Sequence, residues 1–214
     1  MGYANMDHAV IKPESEKDGS EGATDLRRAP RFTLLIRSAK LISVQGEFVC
    51  VIRDVSTTGI SMKLFHQLPQ GEEQTLALQC GETYQIKRVW EREGEAGFAF
   101  VEDVDVEKFV TESGQFPKRG LRLNISISAT ITASLQRSVV EIHNISQQGA
   151  LLQADALLAL DQNLRIENRG LGDFYAKVRW REDNRYGVVF DDVMTLDDFA
   201  RMAVRQQAPT LITS

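Results

Sequence analysis

The chain has 214 residues and a net charge of −5, with 43% hydrophobic and 26% charged residues. This length allows one large domain or two small ones, and the composition is ordinary for a globular protein. The negative net charge excludes the general basic surface that binds nucleic acid polymers. An anionic ligand would therefore have to be bound by a local group of positive charges.

The apolar residues and the cysteines exclude two further classes of protein. We expect no signal peptide, since the first 25 residues are charged and lack an apolar core. We also expect no membrane insertion, since no apolar stretch is long enough to cross a bilayer. Cys50 and Cys80 are too few for the disulfide framework of a secreted domain. We predict a cytoplasmic protein in which both are reduced core thiols, with a redox pair as the alternative.

Strand patterns follow one another through the first half of the chain. Residues 1–25 are polar and predict a flexible tail. Apolar and β-branched segments on both sides of Gly46 predict a first hairpin, and "QTLALQC" and "YQIKRVWER" around Gly81 predict a second one. "AGFAFVEDV" predicts a further strand, and "DVEKFVTES" predicts a short helix.

The second half repeats this order. "RIEN", "FYAKVRWRE" and "RYGVVF" predict strands, and "LDDFARMAVRQQ" predicts a helix with Asp197 and Asp198 at its start and Arg205 at its end. Five or six short strands in each half indicate a small antiparallel barrel, because closure removes exposed strand edges.

An internal repeat underlies this order. Shifting the sequence by 90 residues aligns a polar turn and a tryptophan strand of the first half with those of the second, which indicates a tandem duplication. The two halves meet near "TESGQFP", and "RRAPR" faces "KRGLR" at a shift of 91. The aligned pairs are Asp54 and Asn144, Ser56 and Ser146, Gly59 and Gly149, Trp90 and Trp180, Gly97 and Gly187, and Phe100 and Phe190.

The repeated turn carries groups that suit a guanine base. Asp54 offers carboxylate acceptors, Ser56 offers a hydroxyl, and Gly59 provides either a positive φ or room for close backbone approach. Acceptors in this arrangement match the N–H donors of a guanine edge. The alternative is a turn whose polar side chains satisfy their own backbone.

A short basic segment precedes each predicted barrel. In the first, Pro30 disfavours a helix, so the arginines before it lie on an extended arm. Guanidinium groups on such an arm can bind phosphate or guanine in a bidentate manner and stack on a base. The alternative is a solvated basic arm without a ligand.

Together these residues resemble the PilZ domain of bacteria, whose pattern is RxxxR followed by (D/N)xSxxG. The resemblance covers roughly residues 26–112 and, in weaker form, 116–205, between a tail at 1–25 and a C-terminal tail at 206–214. It implies a mainly β fold of two consecutive six-stranded antiparallel barrels, each followed by a short helix. It also implies a receptor for cyclic di-GMP that regulates an unidentified downstream protein in motility, exopolysaccharide or biofilm control.

Site residues follow from this resemblance position by position. In the second domain Lys118 replaces the first arginine, and such a change is not conservative where a guanidinium binds or stacks. We therefore expect the first domain to bind ligand, with one molecule per site. Whether the second domain binds ligand is left open. The predicted ligand-binding residues are Arg27, Arg28, Arg31, Asp54, Ser56 and Gly59 in the first domain, and Lys118, Arg119, Arg122, Asn144, Ser146 and Gly149 in the second.

Other readings of the sequence are less well supported. No nucleophile, phosphate-loop or metal-ligand spacing is present, so we predict no enzyme, no metal and no cofactor. Trp90 and Trp180 could stack on a base, but their apolar setting favours the barrel core. The rival function is a docking adaptor that has lost ligand binding, for which Lys118 is the supporting feature.

Overall fold

A computed structural model describes residues 32–111, 120–170 and 172–212 of the chain. These residues form two closed barrels of six antiparallel strands, each followed by a helix. The prediction of a mainly β fold with two such barrels is confirmed. Residues 1–25, as well as Arg27, Arg28, Arg31, Lys118 and Arg119, lie outside the described residues.

Barrel 1 is built from the first six strands, in the order β1-β2-β3-β6-β5-β4, and pairing of β1 with β4 closes it. A short helix, α1, follows the last strand. The elements are β1 (Phe32–Ser43), β2 (Gly46–Val55), β3 (Gly59–Leu64), β4 (Glu73–Ala77), β5 (Thr83–Arg92), β6 (Glu95–Phe100) and α1 (Val106–Thr111).

Barrel 2 repeats this topology, in the order β10-β11-β12-β9-β8-β7, and pairing of β10 with β7 closes it. The helix α2 and a 3-10 turn at Pro209–Leu211 follow. The elements are β7 (Arg122–Ala133), β8 (Gln136–Ser146), β9 (Gly149–Ala154), β10 (Asn163–Asn168), β11 (Gly172–Glu182), β12 (Arg185–Phe190) and α2 (Leu196–Gln207).

Alternation along the strands explains why these segments form barrels. Along β7 the residues are buried and exposed in turn, so one face fills the barrel and the other meets solvent. Thr195 caps the start of α2, because its hydroxyl accepts a hydrogen bond from the Asp198 backbone N–H at 3.1 Å. Both cysteines are unpaired and buried within barrel 1.

Helix α2 packs on both barrels. Its residues Phe199 and Met202 belong to the core of barrel 2, whereas Val204 packs into the core of barrel 1. Leu211, in the segment predicted as a tail, is buried against barrel 1, and its carbonyl accepts a hydrogen bond from the Gln67 N–H at 2.9 Å. The end of the helix and the 3-10 turn therefore connect the two barrels.

Helix α1 is held to barrel 1 by an arginine. The two terminal nitrogens of Arg37, on β1, donate to the carbonyls of Phe109 and Val110 at 2.8 and 2.5 Å. These carbonyls lie near the end of the helix, where backbone acceptors lack helical partners and the helix dipole favours a cation. Among the described residues, no helix is long and apolar enough to span a membrane.

Candidate functional site

The two predicted turns share a hydrogen bond made by the motif serine. The hydroxyls of Ser56 and Ser146 each donate to the carbonyl of the turn glycine at 3.2 Å. Both serines are almost fully buried, at 6% and 9% exposure. In this structure the serine hydroxyl therefore satisfies its own turn, as the structural alternative predicted.

Each turn also fixes the segment that leads to the following helix. In barrel 1, Thr58 and Thr57 accept hydrogen bonds from the N–H groups of Phe100 and Val104, both at 2.9 Å. The residues 90 positions later repeat this arrangement. The carbonyl of Gln148 accepts from the Phe190 N–H at 2.8 Å, and that of Gln147 accepts from the Met194 N–H at 3.0 Å. The turn is consequently joined to the last strand and to the helix that follows it.

The turn glycines are required for close backbone approach, not for a positive φ. Neither Gly59 nor Gly149 has a positive φ. A Cβ atom on Gly149 would lie 2.1 Å from the carbonyl oxygen of Val188, and one on Gly59 would lie 3.0 Å from that of Phe98. Of the two roles that the sequence left open, close approach is the one found here.

A one-residue bulge turns the acidic or amide residue of each turn outward. On β2 the register shifts between Ile52, which is buried, and Asp54. On β8 it shifts in the same way between Ile142 and Asn144. Without the bulge, residues two apart would share a face and these polar side chains would point into the barrel. Asp54 accepts a short hydrogen bond from the Ser61 hydroxyl on β3.

The same device turns the tryptophans outward, so the prediction that they fill the core is wrong. The register of β5 shifts before Trp90, and that of β11 shifts before Trp180. Each indole lies over a glycine of the next strand, because a Cβ on Gly97 or Gly187 would fall 2.0 or 1.9 Å from the indole nitrogen. Trp180 is 46% exposed.

These residues form one row across the outer face of each barrel. In barrel 1 the row runs through Asp54, Ser61, Gly97 and Trp90 on four neighbouring strands. Because neighbouring strands are ~4.8 Å apart, the row is on the order of 15 Å long between its outermost backbones. We call it the motif row of barrel 1. The motif row of barrel 2 consists of Asn144, Leu151, Gly187 and Trp180.

Barrel 2 adds residues of β7 at the end of its motif row. Asn124 pairs with Asn144, and Arg122 pairs with Ser146. Both β7 side chains are exposed, whereas Leu123 between them is buried. Arg122 thus lies on the predicted surface beside the turn. The outward positions of Asn124, Leu151 and the two tryptophans were not predictable from the sequence, because a bulge cannot be located from the alternation of residue types.

Two cavities among the described residues bear on the candidate site. One, of about 730 Å³, lies between barrel 1 and α2 and is lined by residues such as His66, Arg92 and Arg205. A small cavity of about 80 Å³ lies beside the turn of barrel 2, against Ser146 and Val193. A dinucleotide needs far more room than this small cavity provides.

Two glutamates near the tip of the β5–β6 hairpin make contacts within barrel 1. Glu91 accepts a hydrogen bond from the Leu68 N–H at 3.2 Å, and Glu95 lies 3.4 Å from Arg53. Within residues 32–111, 120–170 and 172–212, no group of three or more histidine, cysteine, aspartate or glutamate side chains could hold a metal ion.

Comparisons with known proteins identify one domain. Residues 116–206 match the family model of the PilZ domain. No curated protein matches the chain. Among solved structures, the Borreliella burgdorferi PlzA protein in complex with c-di-GMP shares 14% identity over 80% of this chain and 88% of its own, with a TM-score of 0.35.

Two further structures are similarly distant. Apo MrkH of K. pneumonia shares 11% identity over 82% of this chain and 86% of its own, with a TM-score of 0.31. The Bacillus subtilis inhibitor of motility, MotI/DgrA, shares 12% identity over 82% of this chain and 97% of its own, with a TM-score of 0.33. The assignment rests on the domain match and not on these structures. The match to the PilZ family model therefore falls on barrel 2 and nearly all of α2, at residues 116–206.

Proposed function

We propose that the protein is a cyclic di-GMP receptor, not an enzyme, and that its two barrels are tandem PilZ-type domains. The observation that carries the proposal is the surface of barrel 2. There, within the region that matches the PilZ family model, Arg122 and Asn144 lie on the outward faces of paired strands, beside Ser146 and Gly149 of the (D/N)xSxxG pattern. The repeated hydrogen bonds of the turn in barrel 1 support the tandem arrangement.

The chemistry of the motif row suits a guanine base. At one end, the Asp54 carboxylate or the Asn144 side-chain oxygen can accept hydrogen bonds from guanine N–H groups. Farther along the row, the outward indole of Trp90 or Trp180 offers an apolar face on which a base can stack. Arginines of the arm supply the groups that bind phosphate in a bidentate manner.

The two barrels differ in ways that bear on affinity. Barrel 1 has both arm arginines, Arg27 and Arg31, and a charged acceptor in Asp54. Barrel 2 has Lys118 and Asn144 at the corresponding positions and the apolar Leu151 where barrel 1 has Ser61. We therefore expect barrel 1 to bind one ligand molecule and to bind it more tightly.

Binding does not change the ligand chemically, so the signal must be a change of shape or surface. Charge-assisted hydrogen bonds to the ligand would order each arm against its barrel. The arm of barrel 1 continues from residues 1–25, whereas the arm of barrel 2 lies between the barrels in sequence. Ligand on barrel 2 would thereby fix the orientation of the barrels, and a cytoplasmic partner protein would recognise the result.

A docking adaptor is the second candidate, and the surface of barrel 2 favours it. Side chains there that are large, apolar and exposed include Leu157 at 80%, Leu160 at 63% and Val193 at 63%. Exposed apolar groups of this size are common at protein interfaces when they are contiguous. Barrel 2 would then bind a protein while barrel 1 binds the nucleotide.

Isothermal titration with cyclic di-GMP tests the proposal. We expect micromolar or tighter binding that is lost in Arg27→Ala and kept in Lys118→Ala, with a stoichiometry near one. A stoichiometry near two would show that Lys118 with Arg119 and Arg122 suffices and that both barrels bind. Absence of heat and of thermal stabilisation would refute the receptor and leave the adaptor.

A further inference from the structure

A glutamate of barrel 1 lies beside the motif row of barrel 2. Glu47 is the second residue of β2, and its carboxylate accepts three hydrogen bonds. Lys40 donates from its ammonium group at 2.9 Å, and Asn124 donates from its backbone N–H at 2.7 Å and from its side-chain amide at 2.9 Å. One of these partners belongs to barrel 1 and the other to barrel 2.

Asn124 places this contact beside the PilZ turn. It is the cross-strand partner of Asn144 and lies two residues after Arg122. Directly opposed side chains on one face of a sheet have Cβ atoms about 5 Å apart. The Glu47 carboxylate is therefore at the edge of the surface on which a ligand of barrel 2 would bind.

Helix α2 holds the Glu47 backbone in place. The Gln207 side chain accepts from the Glu47 N–H at 2.9 Å and donates to the Glu47 carbonyl at 2.7 Å. Gly46 precedes it with a φ of +135°, and a Cβ there would fall 2.3 Å from the Gln207 oxygen. The glutamate cannot leave Asn124 through backbone motion without breaking these bonds as well.

The donors around the carboxylate form an anion site. A backbone N–H, an amide and an ammonium are the groups that bind phosphate oxygens in proteins. In this structure they bind a carboxylate of the chain itself, and the Glu47 side chain is only 15% exposed. A ligand phosphate bound by Arg122, two residues before Asn124, would meet a negative charge where it needs a positive one.

We propose that Glu47 is an internal anion that competes with the ligand for barrel 2, so that ligand binding there releases Glu47 from Asn124. The inference rests on the proposed function, because it concerns the same ligand. A residue of barrel 1 would then set the ligand affinity of barrel 2. The Glu47 contact lowers the affinity of the second site and couples its occupation to loss of this one contact between the barrels.

The substitution Glu47→Gln tests this competition, since it removes the charge and retains the size of the side chain. We compare it with the parent in an Arg27→Ala background, in which barrel 1 is expected not to bind. In this background barrel 2 should bind cyclic di-GMP only weakly, above the micromolar range, so the titration extends to higher ligand concentrations. The Glu47→Gln variant should bind roughly three- to tenfold more tightly than this parent, the change expected from removing one nearby like charge at partial screening.

Glu73→Gln is the matched control. Glu73 also pairs with a lysine of barrel 1 at 2.9 Å, but it lies on β4 and pairs across to β5 of its own barrel. Its substitution should leave the affinity unchanged. Unchanged or weaker binding in Glu47→Gln, with wild-type binding intact, would overturn the inference alone. Absence of binding in the wild type as well would refute the proposed function.

The unmutated protein provides a second measurement that does not depend on a variant folding. The backbone amide of Asn124 should shift in an NMR spectrum when cyclic di-GMP is added, in the direction that Glu47→Gln produces without ligand. An Asn124 amide that stays unchanged while the amides of Ser146 and Gly149 shift would overturn the competition.

Discussion

The two turn glycines provide a stability test in which each barrel is the reference for the other. Gly59 and Gly149 occupy equivalent positions, and neither has a positive φ, so alanine is not excluded by the backbone conformation. The difference lies in the space available for a Cβ atom. A Cβ atom on Gly59 would lie 3.0 Å from the Phe98 carbonyl oxygen, whereas one on Gly149 would lie 2.1 Å from the Val188 carbonyl oxygen.

The magnitude follows from these distances. A contact of 2.1 Å with a backbone oxygen of a paired strand requires β9 and β12 to move apart, and overpacking of this kind costs about 1–3 kcal/mol. A contact of 3.0 Å needs a shift of a few tenths of an ångström. Its cost is offset by the ~0.4–1 kcal/mol that alanine contributes by restricting the unfolded chain. We expect Gly149→Ala to destabilise its barrel by about 1–3 kcal/mol and Gly59→Ala to be nearly neutral.

Urea unfolding measures both effects if each barrel has its own reporter. The chain has two tryptophans, one in each barrel. Trp90→Phe leaves the Trp180 fluorescence to report on barrel 2, and Trp180→Phe leaves Trp90 for barrel 1. An equal loss of stability in the two alanine variants would refute the reasoning, and so would a greater loss in Gly59→Ala, since only close approach distinguishes the positions.

Three further predictions concern single side chains. Arg37→Ala should destabilise barrel 1 by about 1–2 kcal/mol in urea unfolding, because two carbonyls of α1 lose a charged donor. Arg37→Lys should recover only part of this stability, since lysine lacks the two donor nitrogens of the guanidinium group. Burial lowers the pKa of His66 below its ordinary value of 6.5, so the unfolded chain binds more protons than the folded one in acid. Stability should therefore be constant above pH 6.5 and fall as the pH decreases below it, and His66→Gln should remove this part of the pH dependence in unfolding measured from about pH 7.5 to about pH 5.5. Burial raises the pKa of Cys50 to about 12, so neither buried thiol should react with a disulfide reagent before unfolding, and rapid reaction of the native protein would contradict the structure.

The elements of the fold were predictable because their signals are local. The helix predicted for "LDDFARMAVRQQ" corresponds to α2 at Leu196–Gln207, since Asp197 and Asp198 mark its start and Arg205 its end in the sequence. The hairpins around Gly46 and Gly81 occur as predicted, and both glycines have positive φ. The barrels followed from strand number together with the family resemblance.

The outer surface of the barrels was not predictable in the same way. Trp90 has the same parity as the buried Ile86, so strict alternation places it in the core. One extra residue at the bulge reverses its direction, and no residue type in the segment marks that bulge. Contacts between the barrels, such as Glu47 with Asn124, join positions 77 residues apart and leave no periodic signal. The roles of Arg27, Arg31 and Lys118 stay predictions, since these residues lie outside the described part of the chain.

Titration of the intact wild-type protein with cyclic di-GMP and, in parallel, with cyclic di-AMP tests the central claim most directly. The two ligands share the phosphate–ribose ring and differ in the base, so the comparison isolates the reading of guanine by the motif rows. The account predicts micromolar or tighter binding of cyclic di-GMP and none of cyclic di-AMP. Equal binding of both ligands, or binding of neither, would contradict it.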